Sequence, residues 1–574
     1  MFIADYEHMD PLMLILNILL ILASAVSLML SARKYVHYFQ LESYQFQGYF
    51  RTLKRQKAIR SCLLLSGMHA LLNGIFLGVN WLLGYLDYRQ FVQWTAGEAP
   101  YATNDIYLLL MFISVPLFLL AVYWIGRFFR KQGMKKAEKK KFALTARLKR
   151  FYLVFFILLL ACMGGALLVC MQIKNYWISF LGYWNVIFAL LLPLLVALAA
   201  VLALPIEKFI FHLYFRDAQK KLLENDKLIR IGITGSYGKT STKFILNTIL
   251  SQKFNVLATP ASFNTPMGVT RIVRERLTPA HQVFIGEMGA RHVGEIKELS
   301  RLVHPTIGIL TAVGPQHLDT FRTIERIENT KYELIDALPG DGYAVFLHDD
   351  AIVTRLYEKT EKPKVLVGKE NGDVWARDVH VSHEGSHFTL CIQGWEPIPC
   401  VTPLLGEHNI KNILMACAVA KHLGMNREQI IRGIATLRPV EHRLQLLKSA
   451  GGITVIDDAF NTNPRSSKEA LKVLSTFPGR RVIVTPGMVE LGPDEDQFNY
   501  DFGKAMAESV DLAVLVGKKH TLPIQKGLKE AGFPEENIHV MASLDEAIAF
   551  NRMNLRAGDV VMYENDLPDN YSEN

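Results

Sequence analysis

Long apolar runs occupy the first third of this 574-residue chain, and shorter apolar runs alternate with amphipathic stretches in the rest. A helix needs roughly 20 apolar residues to cross a bilayer. Five runs approach or exceed that length, at 12–30, 61–86, 106–125, 151–173 and 177–204. The pattern therefore predicts a multi-pass α-helical membrane domain of five transmembrane helices over residues 1–225.

The charges between these runs predict an orientation. Loops 32–60 and 126–150 are rich in Lys and Arg, including the run KKAEKKK at 135–141, whereas loop 87–105 has a single Arg. Basic loops stay on the cytoplasmic side of a plasma membrane. We therefore expect an outside N-terminus, a cytoplasmic chain after the fifth run, and membrane lipids as partners. Because these loops account for the formal net charge of +9, nucleic acid is not expected as a partner.

The remaining residues alternate strand-like and helix-like patterns, which predicts an α/β architecture. A strand at 227–234 leads into the loop Gly-Ser-Tyr-Gly-Lys-Thr-Ser at 235–241 and then into a helix at 243–252. A glycine turn between a strand and a helix N-terminus surrounds phosphate with backbone N–H groups. Lys239 adds a positive charge, and the Thr240 hydroxyl suits Mg²⁺. The segment therefore predicts a phosphate loop.

Further motifs follow in order along the chain. They are TPASFNTPMGV at 259–269, EMGA at 287–290, GPQHL at 314–318, KYEL at 331–334, GEHNIKN at 406–412, PVEHRL at 439–444, DDAFNTNP at 457–464 and GMVELG at 487–492. With the phosphate loop, they resemble the Mur ligase family, the ATP-dependent enzymes that build the peptide stem of peptidoglycan. Within that family they are most similar to the members that add D-alanyl-D-alanine. The resemblance covers about residues 226–565.

This resemblance implies a fold and a reaction. A P-loop central ATP-binding domain would occupy residues 226–439, and a Rossmann-like C-terminal domain would occupy residues 440–574. Alternating strands at 453–457, 481–485, 512–517 and 559–563 agree with the second domain. In the family, a carboxylate takes the γ-phosphate of ATP to form an acyl phosphate, and an amine then displaces phosphate. ATP and Mg²⁺ are the implied cofactors.

The resemblance also assigns roles to residues. The catalytic set is Lys239, Glu287, His317, Lys331 and Arg443. The metal set is Thr240, Glu287, His317 and Lys331, the last as a carbamate formed with CO₂. The nucleotide-binding set is Gly235, Ser236, Tyr237, Gly238, Lys239, Thr240, Ser241, His408, Asn409, Asn412, Arg443 and Asp458.

Simpler roles remain open for several of these residues. Glu287 could cap a helix, and His317 could be a structural histidine. Lys331 could be an ordinary helix lysine, and Arg443 could belong to a surface salt bridge. The polar residues of the 406–412 motif could equally brace a domain junction.

The chain departs from the family pattern in three places. The membrane module stands where the family has a domain for the uridine nucleotide, so we expect a carboxylate acceptor that is lipid-linked or membrane-adjacent. A Lys-Gly-Ser that helps to bind the amine donor is replaced, and Glu564 and Asp566 stand there. These carboxylates could recognise a cationic amine or could lie in a plain surface loop. The family's Asn-Ala-Asp-Asp segment, which contacts adenine, is replaced in this chain by Leu-His-Asp-Asp at 347–350.

Several functions compete on these observations. The favoured one is a membrane-anchored, ATP-dependent amide-bond ligase that acts on a cell-envelope precursor or polymer. A membrane-bound poly-amino-acid synthase of the capsule type is the alternative. An ATP-driven transporter would need an LSGGQ-type signature, which is not evident in the sequence. A catalytically inactive scaffold is disfavoured because the five catalytic side chains of the family pattern are retained.

Overall fold

The computed structural model describes residues 11–42, 44–55, 58–95, 105–132, 142–172, 177–448, 451–460 and 462–567. Compact packing divides the chain into two units, Met1–Ile210 and Phe211–Asn574. Residues 1–10, the basic run 135–141 and part of loop 87–105 lie outside the described residues. The orientation that depends on them stays a prediction.

The first unit is helical. Its elements are α1 (Pro11–Leu41), α2 (Phe46–Arg55), α3 (Ala58–Thr95), α4 (Asp105–Gln132), α5 (Ala146–Gln172), α6 (Trp177–Leu190) and α7 (Leu192–Leu223), the last of which continues into the second unit. Leu28, Val122 and Phe155 are fully buried in the core of this unit. By contrast, Leu71 on α3 is 67% exposed and Leu168 on α5 is 64% exposed. The unit thus has apolar side chains both inside and outside.

Three segments of the described residues are long and apolar enough to cross a membrane. They are Ala58–Phe76 in α3, Ala146–Val169 in α5 and Leu192–Leu223 in α7. The predicted runs 12–30 and 106–125 lie in α1 and α4, whose side chains are described only in part. Three of the predicted runs thus overlap segments of sufficient length and hydropathy, and the five-span membrane domain stays a prediction.

The fifth predicted span, 177–204, is wrong as a single helix. It divides at Leu191 into α6, which has 14 residues and is too short to cross a bilayer, and α7. Proline has no backbone N–H, so Pro193 leaves one carbonyl of the preceding turn without its helical donor. Leu191 N nevertheless donates to Ile187 O at 3.0 Å and Leu195 N to Leu191 O at 3.0 Å, so helical hydrogen bonds continue on both sides of the division.

The second unit begins with a three-layer α/β domain. Its strands are β1 (Ile229–Thr234), β2 (Val256–Ala258), β3 (Val283–Glu287), β4 (Ile307–Leu310), β5 (Tyr343–Leu347), β6 (Lys364–Val367), β7 (Val374–Ser382), β8 (Gly385–Ile392) and β9 (Ile398–Thr402). They form one sheet in the order β2-β3-β1-β4-β5-β6-β7-β8-β9, in which the β7–β8 and β8–β9 pairings are antiparallel. The parallel strands carry their functional loops at the carboxyl edge.

Helices cover both faces of this sheet. They are α8 (Lys239–Leu250), α9 (Pro266–Arg276), α10 (Glu295–Val303), α11 (Leu318–Phe321), α12 (Ile324–Asp336), α13 (Ala351–Lys359), α14 (Glu407–His422) and α15 (Arg427–Ala435). One core cluster joins α8, α14 and α15 to one face, and a second joins α9, α10 and α12 to the other. Ala218 and Leu222 of α7 are buried in the second cluster.

A second, smaller sheet follows in the order β10-β11-β15-β12-β13-β14. Its strands are β10 (Gln445–Lys448), β11 (Thr454–Asp458), β12 (Arg481–Thr485), β13 (Leu512–Val516), β14 (Ile538–Met541) and β15 (Val560–Glu564), with helices α16 (Pro464–Ser475), α17 (Glu495–Ser509), α18 (Leu522–Glu530) and α19 (Leu544–Asn554). All pairings except β10–β11 are parallel. The four strands predicted for the C-terminal domain are confirmed as β11, β12, β13 and β15.

Candidate active site

The phosphate loop lies between β1 and α8, as the pattern predicts. Gly235 has φ 147° and Gly238 has φ 77°, which are backbone conformations that L side chains rarely adopt. A Cβ at Gly235 would overlap Thr311 Oγ1, and one at Gly238 would lie 2.9 Å from Asn412 Oδ1. Both positions therefore need glycine, and the loop delivers the N-terminus of α8 to an anion.

Two side chains of the loop attach it to the segment that follows the neighbouring strand β4. Ser236 Oγ donates to Gly314 O at 3.0 Å, and Tyr237 OH donates to Pro315 O at 3.0 Å. Gly314 and Pro315 begin the GPQHL motif that carries His317. Ser236 N also donates to Ala312 O at 2.6 Å, so the loop and the histidine motif are one connected structure.

Lys239 lies over this loop, where Nζ donates to Gly235 O at 2.6 Å and to Ser236 O at 3.1 Å. Burial lowers the pKa of Lys239 to about 8. The Glu287 carboxylate opposes that shift, and the positive charge of Arg443 adds to it. The charges of Glu287 and Arg443 are therefore close enough to Lys239 to change its pKa.

Glu287 is the polar centre of the site. It ends β3, is 1% exposed, and accepts hydrogen bonds from Thr240 Oγ1 at 3.1 Å and Asn264 Nδ2 at 3.1 Å. Its other oxygen accepts from Lys243 Nζ at 2.9 Å in a fully buried ion pair. These contacts exclude the helix-cap role for Glu287.

Lys243 is a residue that the sequence analysis did not assign. It lies one turn after Lys239 on α8, is 0% exposed, and also donates to Ala261 O. The only hint in the sequence is its spacing of four residues from Lys239, which places both lysines on the same helix face.

The Thr240 hydroxyl and the Glu287 carboxylate fit a site for Mg²⁺, because hard cations prefer oxygen ligands. Phosphate oxygens would supply further ligands, as is usual for Mg²⁺ at nucleotides. No group of three or more His, Cys, Asp or Glu side chains converges as a metal site in the part of the chain that the structure describes. The expected metal roles of His317 and Lys331 stay predictions.

His317 contacts the C-terminal domain. Its Nδ1 lies 2.7 Å from Glu490 Oε2, and Arg291 Nη1 lies 3.4 Å from the other oxygen of Glu490. Burial lowers the pKa of His317, while the hydrogen bond to Glu490 opposes that shift. Glu490 lies in the GMVELG motif, to which the sequence analysis gave no role. It connects the two domains of the second unit beside the candidate site.

Lys331 is buried on α12. It is 2% exposed, and no hydrogen bond or ion pair to its Nζ is found among the described residues. The ammonium lies 6.0 Å from the centroid of the Phe321 ring. Burial lowers the pKa of Lys331 far below its usual value, and the charge of Lys239 adds to this effect. An ordinary solvated helix lysine would have neither property.

Arg443 and Asp458 complete the site from the C-terminal domain. The Arg443 guanidinium lies 4.2 Å from the centroid of Phe460. Asp458 Oδ1 accepts from Leu444 N at 3.1 Å. Burial raises the pKa of Asp458 to about 7, and the Arg443 charge opposes that shift. Arg443 is therefore not part of a surface salt bridge.

Comparison with known proteins agrees with this geometry. Residues 233–420 match the Mur ligase middle domain, and residues 442–563 match the glutamate ligase domain of Mur ligases. A UDP-N-acetylmuramoyl-tripeptide–D-alanyl-D-alanine ligase from Mycobacterium tuberculosis (strain CDC 1551 / Oshkosh) is 35% identical over 355 residues, which cover 58% of this chain and 69% of the relative. The chain belongs to the Mur ligase family. Its homologues are ATP-dependent ligases that form C–N bonds, so the predicted enzyme class is confirmed.

Further relatives of this Mur ligase carry the same name. The Escherichia coli (strain K12) enzyme is 32% identical, over 52% of this chain and 67% of the relative. Among solved structures, MurF from Acinetobacter baumannii superposes with a TM-score of 0.57 at 27% identity and covers 63% of this chain and 78% of that one. MurF from Thermotoga maritima in complex with ADP has the same fold, with a TM-score of 0.57.

The names of these relatives bear on the acceptor. Each specifies a UDP-N-acetylmuramoyl-tripeptide, which is linked to a nucleotide. They therefore give no support to the expectation of a lipid-linked acceptor.

In the 406–412 motif of this Mur ligase, the two asparagines make structural hydrogen bonds, whereas a ring nitrogen of His408 has no partner. Asn412 accepts from Thr242 Oγ1 at 3.1 Å and so links α14 to α8, whereas Asn409 Nδ2 donates to Leu405 O at 2.8 Å at the start of α14. His408 Nδ1 is buried without a hydrogen-bond partner, and burial lowers the pKa of His408 to about 4. The glycine cradle and this unpartnered neutral imidazole fit a bound nucleotide.

The Leu-His-Asp-Asp segment that replaces the family pattern has a structural use. Asp349 pairs with Lys411 at 2.7 Å and also with Arg465 of the C-terminal domain. The second departure, Glu564, ends β15 and is 0% exposed, and one of its oxygens accepts from Thr485 Oγ1 at 2.7 Å. The surface-loop interpretation is thus wrong for Glu564, since a strand end buries it, whereas Asp566 is exposed.

Proposed function

We propose that this Mur ligase joins a peptide-type carboxylate to an amine through an acyl phosphate at the cluster of Lys239, Thr240, Glu287 and Arg443. The observation that carries the proposal is the 3.1 Å contact between Thr240, in the phosphate loop, and the buried Glu287. Two cations, Lys239 and Arg443, both interact electrostatically with the Glu287 carboxylate. Phosphoryl transfer depends mainly on positioning and on charge stabilisation, which this arrangement supplies.

Each residue has a defined task in this proposal. Lys239 and the backbone of the phosphate loop hold the β- and γ-phosphates. Thr240 and Glu287 would hold Mg²⁺, which would neutralise phosphate charge when bound. Arg443 enters from the other domain and stabilises charge on the phosphoryl group in transit, as an arginine finger does. Lys243 holds the Glu287 carboxylate in its orientation.

Lys331 takes part as a carbamate in this proposal. The neutral amine of Lys331 attacks CO₂, and loss of one proton leaves an N-carboxylate anion in place of a cation. The buried, unpaired Nζ supports this step because only the neutral amine is a nucleophile. The anion would lie within the positive field of Lys239 and could help to hold a second metal ion.

We further propose that the acceptor is a muramoyl-peptide carboxylate and that the donor is an amino acid or dipeptide; the names of the relatives specify a muramoyl tripeptide and the dipeptide D-alanyl-D-alanine for those proteins. We propose a plasma-membrane location with the second unit in the cytoplasm. The exposed leucines of α3 and α5 support it, since lipid would cover them.

The test is phosphate release by the detergent-purified protein with ATP, Mg²⁺, UDP-linked muramoyl tripeptide and a panel of amines. We expect release that depends on both acceptor and amine and that falls to background in Lys239→Ala. Lys253→Ala, which changes an exposed lysine beyond α8, is the matched control. If no combination exceeds the Lys239→Ala background, the ligase proposal fails. Gel analysis separates one condensation product from the ladder that a poly-amino-acid synthase would give.

A further inference from the structure

We propose that a pocket in the first unit binds the phosphate group of an anionic membrane phospholipid. The pocket has a volume of about 290 Å³ and lies between α1, α3 and α4. Its lining residues are Ser31, Lys34, Tyr35, Arg60, Ser61, Leu64, Leu65 and Phe129. The proposal is independent of the ligase chemistry and depends on the membrane location proposed above.

The charge of the pocket selects an anion. Lys34 and Arg60 bring two positive charges, and none of the lining residues is acidic. Lys34 Nζ donates to Ser61 Oγ at 3.2 Å, which places a hydroxyl and an ammonium side by side. Such a pairing of hydroxyl and cation is suited to the oxygens of a phosphate.

One residue that lines the pocket has a buried hydroxyl without a hydrogen-bond partner. Ser31 is 4% exposed, and its Oγ has no hydrogen-bond partner. Serine within a helix commonly satisfies its hydroxyl by donating to the carbonyl four residues earlier, and Ser31 does not. A buried hydroxyl without a partner is costly, and a phosphate oxygen would satisfy it.

The position of the pocket favours a lipid as the source of that phosphate. Lys34 follows the apolar run 12–30, and Arg60 precedes the run 61–86, so both cations lie where an apolar segment ends. Basic pockets between transmembrane helices at this level bind lipid headgroups. Leu64 lines the pocket and is 50% exposed, so it offers an apolar surface to an acyl chain.

The test is native mass spectrometry of the full-length protein after delipidation and addition of phosphatidylglycerol. We expect one retained lipid per chain and at least a fivefold loss of retention in the double variant Lys34→Gln/Arg60→Gln. Arg51→Gln/Lys54→Gln is the matched control, since both of its residues are exposed cations of α2 outside the pocket. It should retain the lipid within twofold. Size-exclusion profiles and phosphate release check that both variants are folded.

Three other outcomes would overturn the proposal or one part of it. Equal loss of phosphatidylglycerol in the two double variants would overturn the proposal, because a general basic surface would then explain binding. Equal retention of zwitterionic phosphatidylcholine would overturn the selection for an anionic lipid. If inorganic phosphate alone protects the protein from thermal unfolding in a Lys34- and Arg60-dependent way and the lipid does not, a lipid source is overturned.

Discussion

Lys243 and Glu287 form an ion pair in which both side chains are excluded from solvent. Removing one partner of such a pair leaves an uncompensated buried charge, which costs about 3–5 kcal/mol. We therefore expect Lys243→Met to lower the free energy of unfolding by about that amount in urea titrations. The double variant Lys243→Met/Glu287→Gln should recover part of the loss because it removes both charges.

A Lys243→Met protein that unfolds at the wild-type urea concentration would contradict the buried pair. Lys253→Met is the control, since that lysine is exposed and donates only to backbone carbonyls of the α14–α15 turn. Exposed contacts of this kind contribute little to stability.

Glu564 should make stability depend on pH. Burial raises its pKa from 4.5 to about 8, so the folded state binds this proton more tightly than the unfolded state does. Stability from this group is fully present below about pH 4.5 and is lost as the pH rises towards about 8. Relative to Glu564→Gln, the wild type should lose on the order of 1 kcal/mol per pH unit in that window.

Urea unfolding at about pH 5 and about pH 8 measures this difference. Glu508→Gln, a change at an exposed position of α17 in the same domain, should track the wild type at both pH values. If wild type and Glu564→Gln differ by the same free energy of unfolding at both pH values, Glu564 does not titrate in this window and burial does not raise its pKa.

Lys331 can be tested as a carbamate directly. Its lowered pKa leaves more neutral amine near neutral pH, so CO₂ should add to Lys331 in preference to solvated lysines. With carbon-13 bicarbonate, NMR should show a carbamate resonance that disappears in Lys331→Arg. Phosphate release should rise with bicarbonate in the wild type only. A carbamate resonance that persists in Lys331→Arg would assign it to another lysine.

The residues that sequence reasoning could find are those within short motifs. The phosphate loop, Glu287, His317, Lys331 and Arg443 all lie in such motifs, and the structure places them around one loop. Lys243 and Glu490 could not be assigned roles because their partners are distant in sequence: Glu287 is 44 positions from Lys243, and His317 is 173 positions from Glu490. A local pattern contains no information about which distant side chain will be its partner.

At the scale of elements, Gly238 allows the left-handed backbone conformation that begins α8, and this role can be tested. Gly238 has φ 77°, and a Cβ there would press on Asn412 Oδ1. We expect Gly238→Ala to weaken ATP binding by about tenfold, since backbone strain costs about 1–3 kcal/mol and displaces the loop. Isothermal titration with ATP measures the change.

Gly294 provides the matched control for this variant. It begins α10 with φ 89°, but a Cβ there would meet no atom within 4 Å. Gly294→Ala therefore brings similar backbone strain without a steric contact at the phosphate loop, and it should leave ATP affinity within about twofold of wild type. If both variants lose ATP affinity equally, general destabilisation and not the loop would be the cause.

Hydropathy and periodicity predicted the long apolar helices, β1, α8 and four strands of the second sheet, but they missed the division of the run 177–204. Hydropathy measures transfer of side chains from water, whereas Pro193 acts through a missing backbone N–H. The strand β14 was also not predicted, because its four residues IHVM are too few to show a period. Elements that are very short, or that are interrupted by a proline, therefore cannot be predicted from hydropathy and periodicity.

At the scale of the whole molecule, the division between the units lies inside a helix. α7 runs from Leu192 to Leu223, and the second unit begins at Phe211. Ala218 and Leu222 are both 0% exposed in the core cluster that contains Val273 of α9. The end of a helix that begins in the apolar unit is thus part of the core of the catalytic unit.

This packing predicts where the catalytic unit can be separated. A chain that begins at Phe211 should fold, whereas one that begins at Asp226 should be less stable, because it loses Leu222 and the 2.5 Å ion pair between Asp217 and Arg274. Burial of one leucine contributes about 2–5 kcal/mol. The free energies of unfolding of the two truncated chains, measured in urea, should differ by at least about 2 kcal/mol. Leu222→Ala in the longer chain should account for most of this difference. Equal stability of the two truncated chains would mean that the α7 residues 211–223 contribute nothing to the catalytic unit, and the division would then belong near the start of β1.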